Sequence, residues 1–357
     1  MRLDFTDHRK SPAAWAESLG ISREAVDLYL ASEVIDLHID SFIWTRVFGY
    51  DLCARHDSGL LGASFYSQVD FPRVLEAGLT GATWVITTNP TKVARERAST
   101  FRDNLRELEA IIASVSEQFA LVRSYSEYKA ARAQGKHAAF LGIQGGNALD
   151  ADPGALDALK DGKVLRVTVV HLTSSELGST SSPLAGRDKG LTAKGREYVE
   201  RLNEMKVFVD LAHISKKGFW GAVEVADPSQ PLIVTHTGVS GVFDHWRNLD
   251  DDQLRAVAKS GGTIGVMYEA TFLGQGKWSG TAERVVDHLA HIVETVGDDF
   301  ASLGSDWDGA IVTPRDMPTC LELPKLVDIM LKRKMKPDTI QKILGKNFLR
   351  VVETLRG

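Results

Sequence analysis

Eight short apolar runs alternate with amphipathic helical stretches along this chain, and that alternation constrains the fold more than any other feature. The runs fall at 34–40, 81–88, 138–144, 164–171, 207–211, 232–235, 263–268 and 301–306. Helical patterns lie between most of them, at 92–116, 150–159, 193–205, 216–226, 251–259 and 282–296. Such repetition calls for a parallel sheet, since parallel strands need long crossovers that helices supply. Eight units in roughly 300 residues predict a closed (β/α)8 TIM-like barrel before an open doubly wound sheet. No Gly-rich phosphate loop follows the first run, which argues against a dinucleotide-binding fold.

The flanks fit one barrel. Residues 1–33 read as a short N-terminal helical extension, where Ser11 can cap and Pro12 suits a first turn. Residues 321–357 read as C-terminal helices packed on the barrel exterior, broken at Met335-Lys336-Pro337-Asp338. Between the first two runs, 41–70 is rich in Gly, Ser and aromatics and reads as a long functional loop. With no low-complexity stretch or linker, 1–357 reads as a single domain.

Composition narrows the partners. A formal net charge of -5 gives no support to a nucleic-acid or anionic-membrane partner. No run approaches the ~18 apolar residues of a membrane span, and the N-terminus has no secretory pattern. Cys53 and Cys320 lie far apart outside any C-x-x-C motif, as expected of reduced thiols in a cytoplasmic protein. The expected partner is a small-molecule substrate.

Unusual polar residues sit where the apolar runs end. Asp36, His38 and Asp40 are spaced two apart in the first run, so a regular strand puts all three on one face. Gln144 ends the third run, His171 the fourth, His236 the sixth and Asp306 the eighth, while His213 follows the fifth. In a (β/α)8 barrel the C-terminal strand ends converge on one face, where active sites are built. Four His and two Asp meeting there suit a borderline cation such as Zn²⁺, which activates water for hydrolysis near neutral pH. Each residue alone says little: a strand-end His is commonly a hydrogen-bonded rim residue, and Gly304–Gly309 reads equally as a turn. Recurrence at strand end after strand end carries the inference. His8, His56, His137, His245, His288 and His291 lack that placement and read as surface or loop histidines. Arg247, taken alone, reads as a solvated loop charge beside Asp244.

The motifs Ile35-Asp36-Leu37-His38-Ile39-Asp40, Gly142-Ile143-Gln144-Gly145-Gly146 and Thr168-Val169-Val170-His171 occur in a familiar order. Asp210-Leu211-Ala212-His213-Ile214-Ser215, Thr235-His236-Thr237, Arg247-Asn248-Leu249 and Gly304-Ser305-Asp306-Trp307-Asp308-Gly309 continue it. In order and spacing the chain, from about Ile21 to its end, resembles the membrane (renal) dipeptidase family of zinc hydrolases in the amidohydrolase superfamily. The resemblance implies a two-metal site that cleaves dipeptides, often tolerating a D-residue on the C-terminal side, in a homodimer. His38 and Asp40 would ligate one metal, and His213 and His236 the other. His171 would stabilise the oxyanion, and Arg247, beside Asn248 in the substrate site, would hold the free carboxylate. Asp306 would move the proton from water to the leaving amine.

Gln144 departs from that pattern, standing where the family carries a bridging glutamate. An amide offers one neutral oxygen, and its NH₂ is a donor rather than a ligand. Removing the negative charge from between two dications predicts one Zn²⁺, or a weakly held second one. Three readings follow: a mononuclear metal-dependent dipeptidase, an amidohydrolase of a different small substrate, or a catalytically impaired small-molecule-binding protein on the same barrel.

Overall fold

The β-branched and apolar runs do form strands, and all of them are parallel. They are β1 (Ile35–Ile39), β2 (Gly81–Thr87), β3 (Phe119–Leu121), β4 (His137–Gln144), β5 (Val164–Thr168), β6 (Phe208–Asp210), β7 (Ile233–Thr237), β8 (Thr263–Val266) and β9 (Ala301–Leu303). The computed structural model describes residues 1–59, 62–89, 92–151 and 153–357. Leu60 and Leu61 in the expected 41–70 loop, and Asp152 in the expected 150–159 helix, lie outside the described residues.

Pairing runs from β1 round through β9, β8, β7, β6, β5 and β4 to β2, which returns to β1 and closes the barrel. The eight expected strands make this barrel; β3 is an addition. It pairs with the first half of β4, Phe119 opposite His137, before β5 takes over the same edge with Arg166 opposite Gly142. A strand of three residues is too short to stand out as a periodic run.

Three register shifts interrupt the ladders. From Asp36 to Ile39 β1 advances three residues against two of β2, and from Val234 to Thr237 β7 does the same against β8. In β5 one residue is skipped between Val164 and Arg166 against consecutive β4 partners. A bulge of this kind breaks the two-residue alternation and re-aims the side chains beyond it.

Two segments differ from expectation. Inside 41–70 a helix, Phe42–Phe48, ends at Gly49, whose φ of 76 suits glycine. Its Phe, Ile, Trp, Thr and Val content disfavours a helix by propensity, so packing decides it. The expected 150–159 helix is replaced by a 3₁₀ turn, Pro153–Leu159, preceded by another at Gly146–Leu149, in a sequence whose Asp-Pro-Gly stretch cannot propagate a helix.

The C-terminal helices Pro324–Lys332 and Asn347–Arg356 are joined through Pro337–Gln341 and a π-helical turn, Lys342–Lys346. The last helix does not merely lie on the exterior. Phe348, Val351 and Val352 share a cluster with Ile35, Phe140, Phe208 and Ile233. Arg350 and Arg356 donate to carbonyls of Gly262, Asp299, Val164 and Lys206, at the starts of β8, β9, β5 and β6. This helix therefore closes the strand-start end and leaves the opposite end as the open face.

Two histidines read as surface residues are buried. His137 opens β4, and His288 lies in the helix Ala282–Val296 with its Nδ1 accepting from the Val239 N–H. Both were missed because each stands inside an element whose buried face only packing reveals. Among the described residues no helix is long and apolar enough to cross a membrane.

Candidate metal centre

Within the register shifts of β1 and β7, His38 and His236 turn toward each other, with ring centroids 3.8 Å apart. A row of polar atoms crosses the open end of the barrel. His38 Nε2 lies 2.9 Å from Gln144 Oε1, Gln144 Nε2 lies 3.2 Å from His213 Nε2, and His213 Nε2 lies 2.8 Å from His236 Nε2. Asp40 Oδ2 and Asp306 Oδ1 stand 3.5 and 3.6 Å from His38 Nε2. The structure therefore brings His38, Asp40, Gln144, His213, His236 and Asp306 together from five separate strand ends. Asp36 does not join them: the bulge takes it out of the row, and its carboxylate accepts from the backbone N–H of His38 and Ser305 instead. His213 and Asp306 both hold φ of 64, a conformation costly for non-glycine residues and one that clusters at functional sites.

Beneath the row lies a network built on Arg166, which stands outside every motif quoted above. Arg166 Nη1 donates to Asp210 Oδ2 at 2.9 Å and to Thr168 Oγ1 at 2.7 Å, while its Nη2 donates to His38 Nδ1 at 2.7 Å. Asp210 also accepts the hydroxyls of Thr168 and Thr235 and the backbone N–H groups of Ala212 and Thr235. Burial alone would raise Asp210, but Arg166 and these hydroxyls hold its carboxyl below the usual range. Gly142 makes the room, because a Cβ there would stand 3.0 Å from Arg166 Nε. The available signal was a charge inside each apolar run, Arg in Val-Leu-Arg-Val-Thr and Asp in Phe-Val-Asp-Leu.

Beside the row, the His171 ring packs edge-on to His213 with centroids 4.7 Å apart. Burial pushes His171 down to about 4, so at neutral pH it is an uncharged N–H donor. Arg247 is only 3% exposed, so it is not the solvated loop charge its isolated sequence suggests. Its Nη2 donates to the His236 carbonyl at 2.7 Å and its Nε has no protein partner. Burial lowers it to about 10, which still leaves a full cation at neutral pH. Burial, then the neighbouring Asp40, raise Asp306 well above the ordinary carboxylate range. A cleft of about 420 Å³ opens here, lined by Ser181, His213, Trp246 and Arg247 among others. Asn248 does not offer its amide to this cleft. Its Oδ1 accepts from the Gly238 N–H and its Nδ2 donates to the carbonyls of Phe243 and Phe272, so it braces the loop that carries Arg247.

The donor set in one half fits a metal ion. The Thr235 hydroxyl donates to Asp210, so its oxygen is left to accept from His236 Nδ1 at 2.9 Å. That hydrogen bond places the proton of His236 on Nδ1 and leaves Nε2 as a bare lone pair. It faces His213 Nε2, and burial holds both imidazoles well below their ordinary range, against a shared proton. Imidazole nitrogens gathered in this way suit a borderline divalent cation. Among the described residues, His38, His236 and Asp306 also place ligand atoms within 4.8 Å of one another.

Comparisons with known proteins point the same way. The sequence pattern of the membrane dipeptidase family, peptidase family M19, matches residues 22–356. An uncharacterized protein in the pqqA 5' region of Klebsiella pneumoniae is 28% identical over 257 residues, 70% of this chain and 93% of that one. Among solved structures, an amidohydrolase from Pseudomonas aeruginosa superposes with a TM-score of 0.75 at 24% identity, covering 93% of this chain and 98% of that one. A metallo peptidase from Rhodobacter sphaeroides, liganded with a phosphinate mimic of the dipeptide L-Ala-D-Ala, gives a TM-score of 0.79 at 24% identity, over 90% of this chain and 99% of that one. At these identities the two structures share the fold with this chain.

Proposed function

The chain belongs to the membrane dipeptidase family, peptidase family M19, and on that premise we propose how its own residues cleave a dipeptide. As a member of that family it is a metal-dependent, dipeptide-cleaving hydrolase. The observation that carries the residue assignment is the buried Arg247, whose Nε lacks a protein partner and whose guanidinium lines the cleft beside His213. A planar cation in that setting suits a carboxylate, which a dipeptide presents at its C-terminus.

Arg247 holds that carboxylate and so sets the scissile bond against the histidine row. The bound cation, proposed to be Zn²⁺, supplies electrostatic activation of water and carbonyl. His213 and His236 hold it. His171, uncharged at neutral pH, donates its N–H to the carbonyl oxygen as negative charge develops there. Asp306 takes the proton from the attacking water and passes it to the leaving amine, a shuttle suited to its raised pKa. The ligand of the Rhodobacter sphaeroides structure supports including L,D-dipeptides in the substrate class.

The test is hydrolysis of L,L- and L,D-dipeptides by the full chain supplemented with Zn²⁺, Mn²⁺ or Co²⁺, next to the same dipeptides amidated at the C-terminus. Turnover of free dipeptides with at least a tenfold preference over the amides is the expected result. No turnover by protein shown to hold a cation would overturn the assignment.

A further inference from the structure

The two halves of the row differ in one respect that Gln144 does not explain. Guanidinium groups only donate, so the 2.7 Å contact from Arg166 Nη2 makes His38 Nδ1 an acceptor. The ring proton of His38 then sits on Nε2 and points at Gln144 Oε1, 2.9 Å away. With its oxygen held there, Gln144 turns its NH₂ to His213 Nε2. Reversing the amide would set NH₂ against the His38 N–H, two donors face to face, so one arginine orients the whole row.

We propose that Arg166 closes the His38–Asp40 half of the site to metal, so that this chain binds a single divalent cation through His213 and His236. The inference rests on the metal-dependent reading above and specifies its stoichiometry. A ligand imidazole must present a lone pair, and His38 Nε2 presents a proton. Arginine does not give up its own proton to relieve the conflict. Its fixed charge behind the ring also opposes a dication in front of it. Asp40 is satisfied without metal, since its other oxygen accepts the Thr87 hydroxyl. The bulge in β5 and the space left by Gly142 build Arg166 into this place. Arg166 is thus a positioning residue, acting through His38 and Gln144.

The proposal separates Arg166 from Gln144 as the cause. Restoring a carboxylate with Gln144→Glu leaves His38 still donating, so it tightens the one cation, by about 10–100-fold, without adding another. Arg166→Met with Gln144→Glu frees the His38 lone pair and takes up two. The experiment is Co²⁺ titration of chelator-stripped full chain, with elemental analysis and the cobalt absorption spectrum as readouts. One equivalent for wild type and Gln144→Glu and two for the double variant are expected. Two equivalents in wild type or in Gln144→Glu, or one in a folded double variant, would overturn the proposal while leaving the hydrolase reading intact. No cation in wild type would overturn both. Should the double variant fail to fold, ¹⁵N spectra of the histidine rings in metal-free wild type decide: His38 protonated on Nε2 supports the proposal, and on Nδ1 overturns it.

Discussion

The strand β4 begins at His137 and ends at Gln144, and its two ends use buried polarity in opposite ways. At the closed end, His137 Nδ1 lies 2.9 Å from the Leu79 carbonyl, and its Nε2 accepts from Trp84 Nε1 at 3.3 Å. Phe119 and Trp84 pack around the ring. Every polar atom there has a partner from rigid backbone or a packed aromatic, and nothing is left for a ligand. At the open end, Gln144 and three histidines find partners chiefly in one another, and two lone pairs converge at 2.8 Å. Burial depresses the histidines at both ends, so a shifted pKa does not tell the two apart. What separates a core histidine from a site histidine is whether the protein itself completes its hydrogen bonds.

The sharpest way to break this contrast is at the open end. Asp306→Asn should lower kcat by about 10³-fold with little change in thermal stability, measured by dipeptide turnover and by calorimetry. Retention of activity within tenfold would remove Asp306 from the proton shuttle.

Acid titration reads depressed histidines throughout the fold, and the share carried by His137 probes the closed end. Burial lowers His137 and His288 to about 4 from an ordinary 6.5. Between those values the unfolded chain binds protons that the folded chain does not, so stability rises with pH across the window. It is fully present above about 6.5 and is lost as pH falls through about 4, on the order of 3 kcal/mol for each histidine. Urea unfolding at pH 7, 5.5 and 4.5 measures the slope, and His137→Asn should remove one histidine's share of it.

That variant gives a smaller effect at neutral pH. Asn can donate to the Leu79 carbonyl but leaves the Trp84 N–H unpaired, costing about 1–3 kcal/mol. Its kcat should match wild type, and a fall in kcat would show the two ends to be coupled. The smallest change expected is Arg247→Lys, which keeps the charge but loses the planar fork. It should raise KM about tenfold (~1.4 kcal/mol) with kcat nearly constant, read by steady-state kinetics.

What the sequence determined by itself was the closed barrel and the face on which its polar strand ends gather. Eight apolar runs of strand length with helical spacers leave few alternatives, and His38, His236 and Asp306 stand out because apolar runs end on them. The helix Phe42–Phe48 and the strand Phe119–Leu121 escaped, one for its poor propensity and the other for its length. Only the tertiary structure decided what the polar residues do. Bulges in β1, β5 and β7 set Asp36 aside and aimed His38, Arg166 and His236 inward, and a bulge leaves no period to read. The proton on His38 depends on Arg166, 128 positions away. A tautomer is set by the atom opposite the ring nitrogen, and only folding brings that atom there.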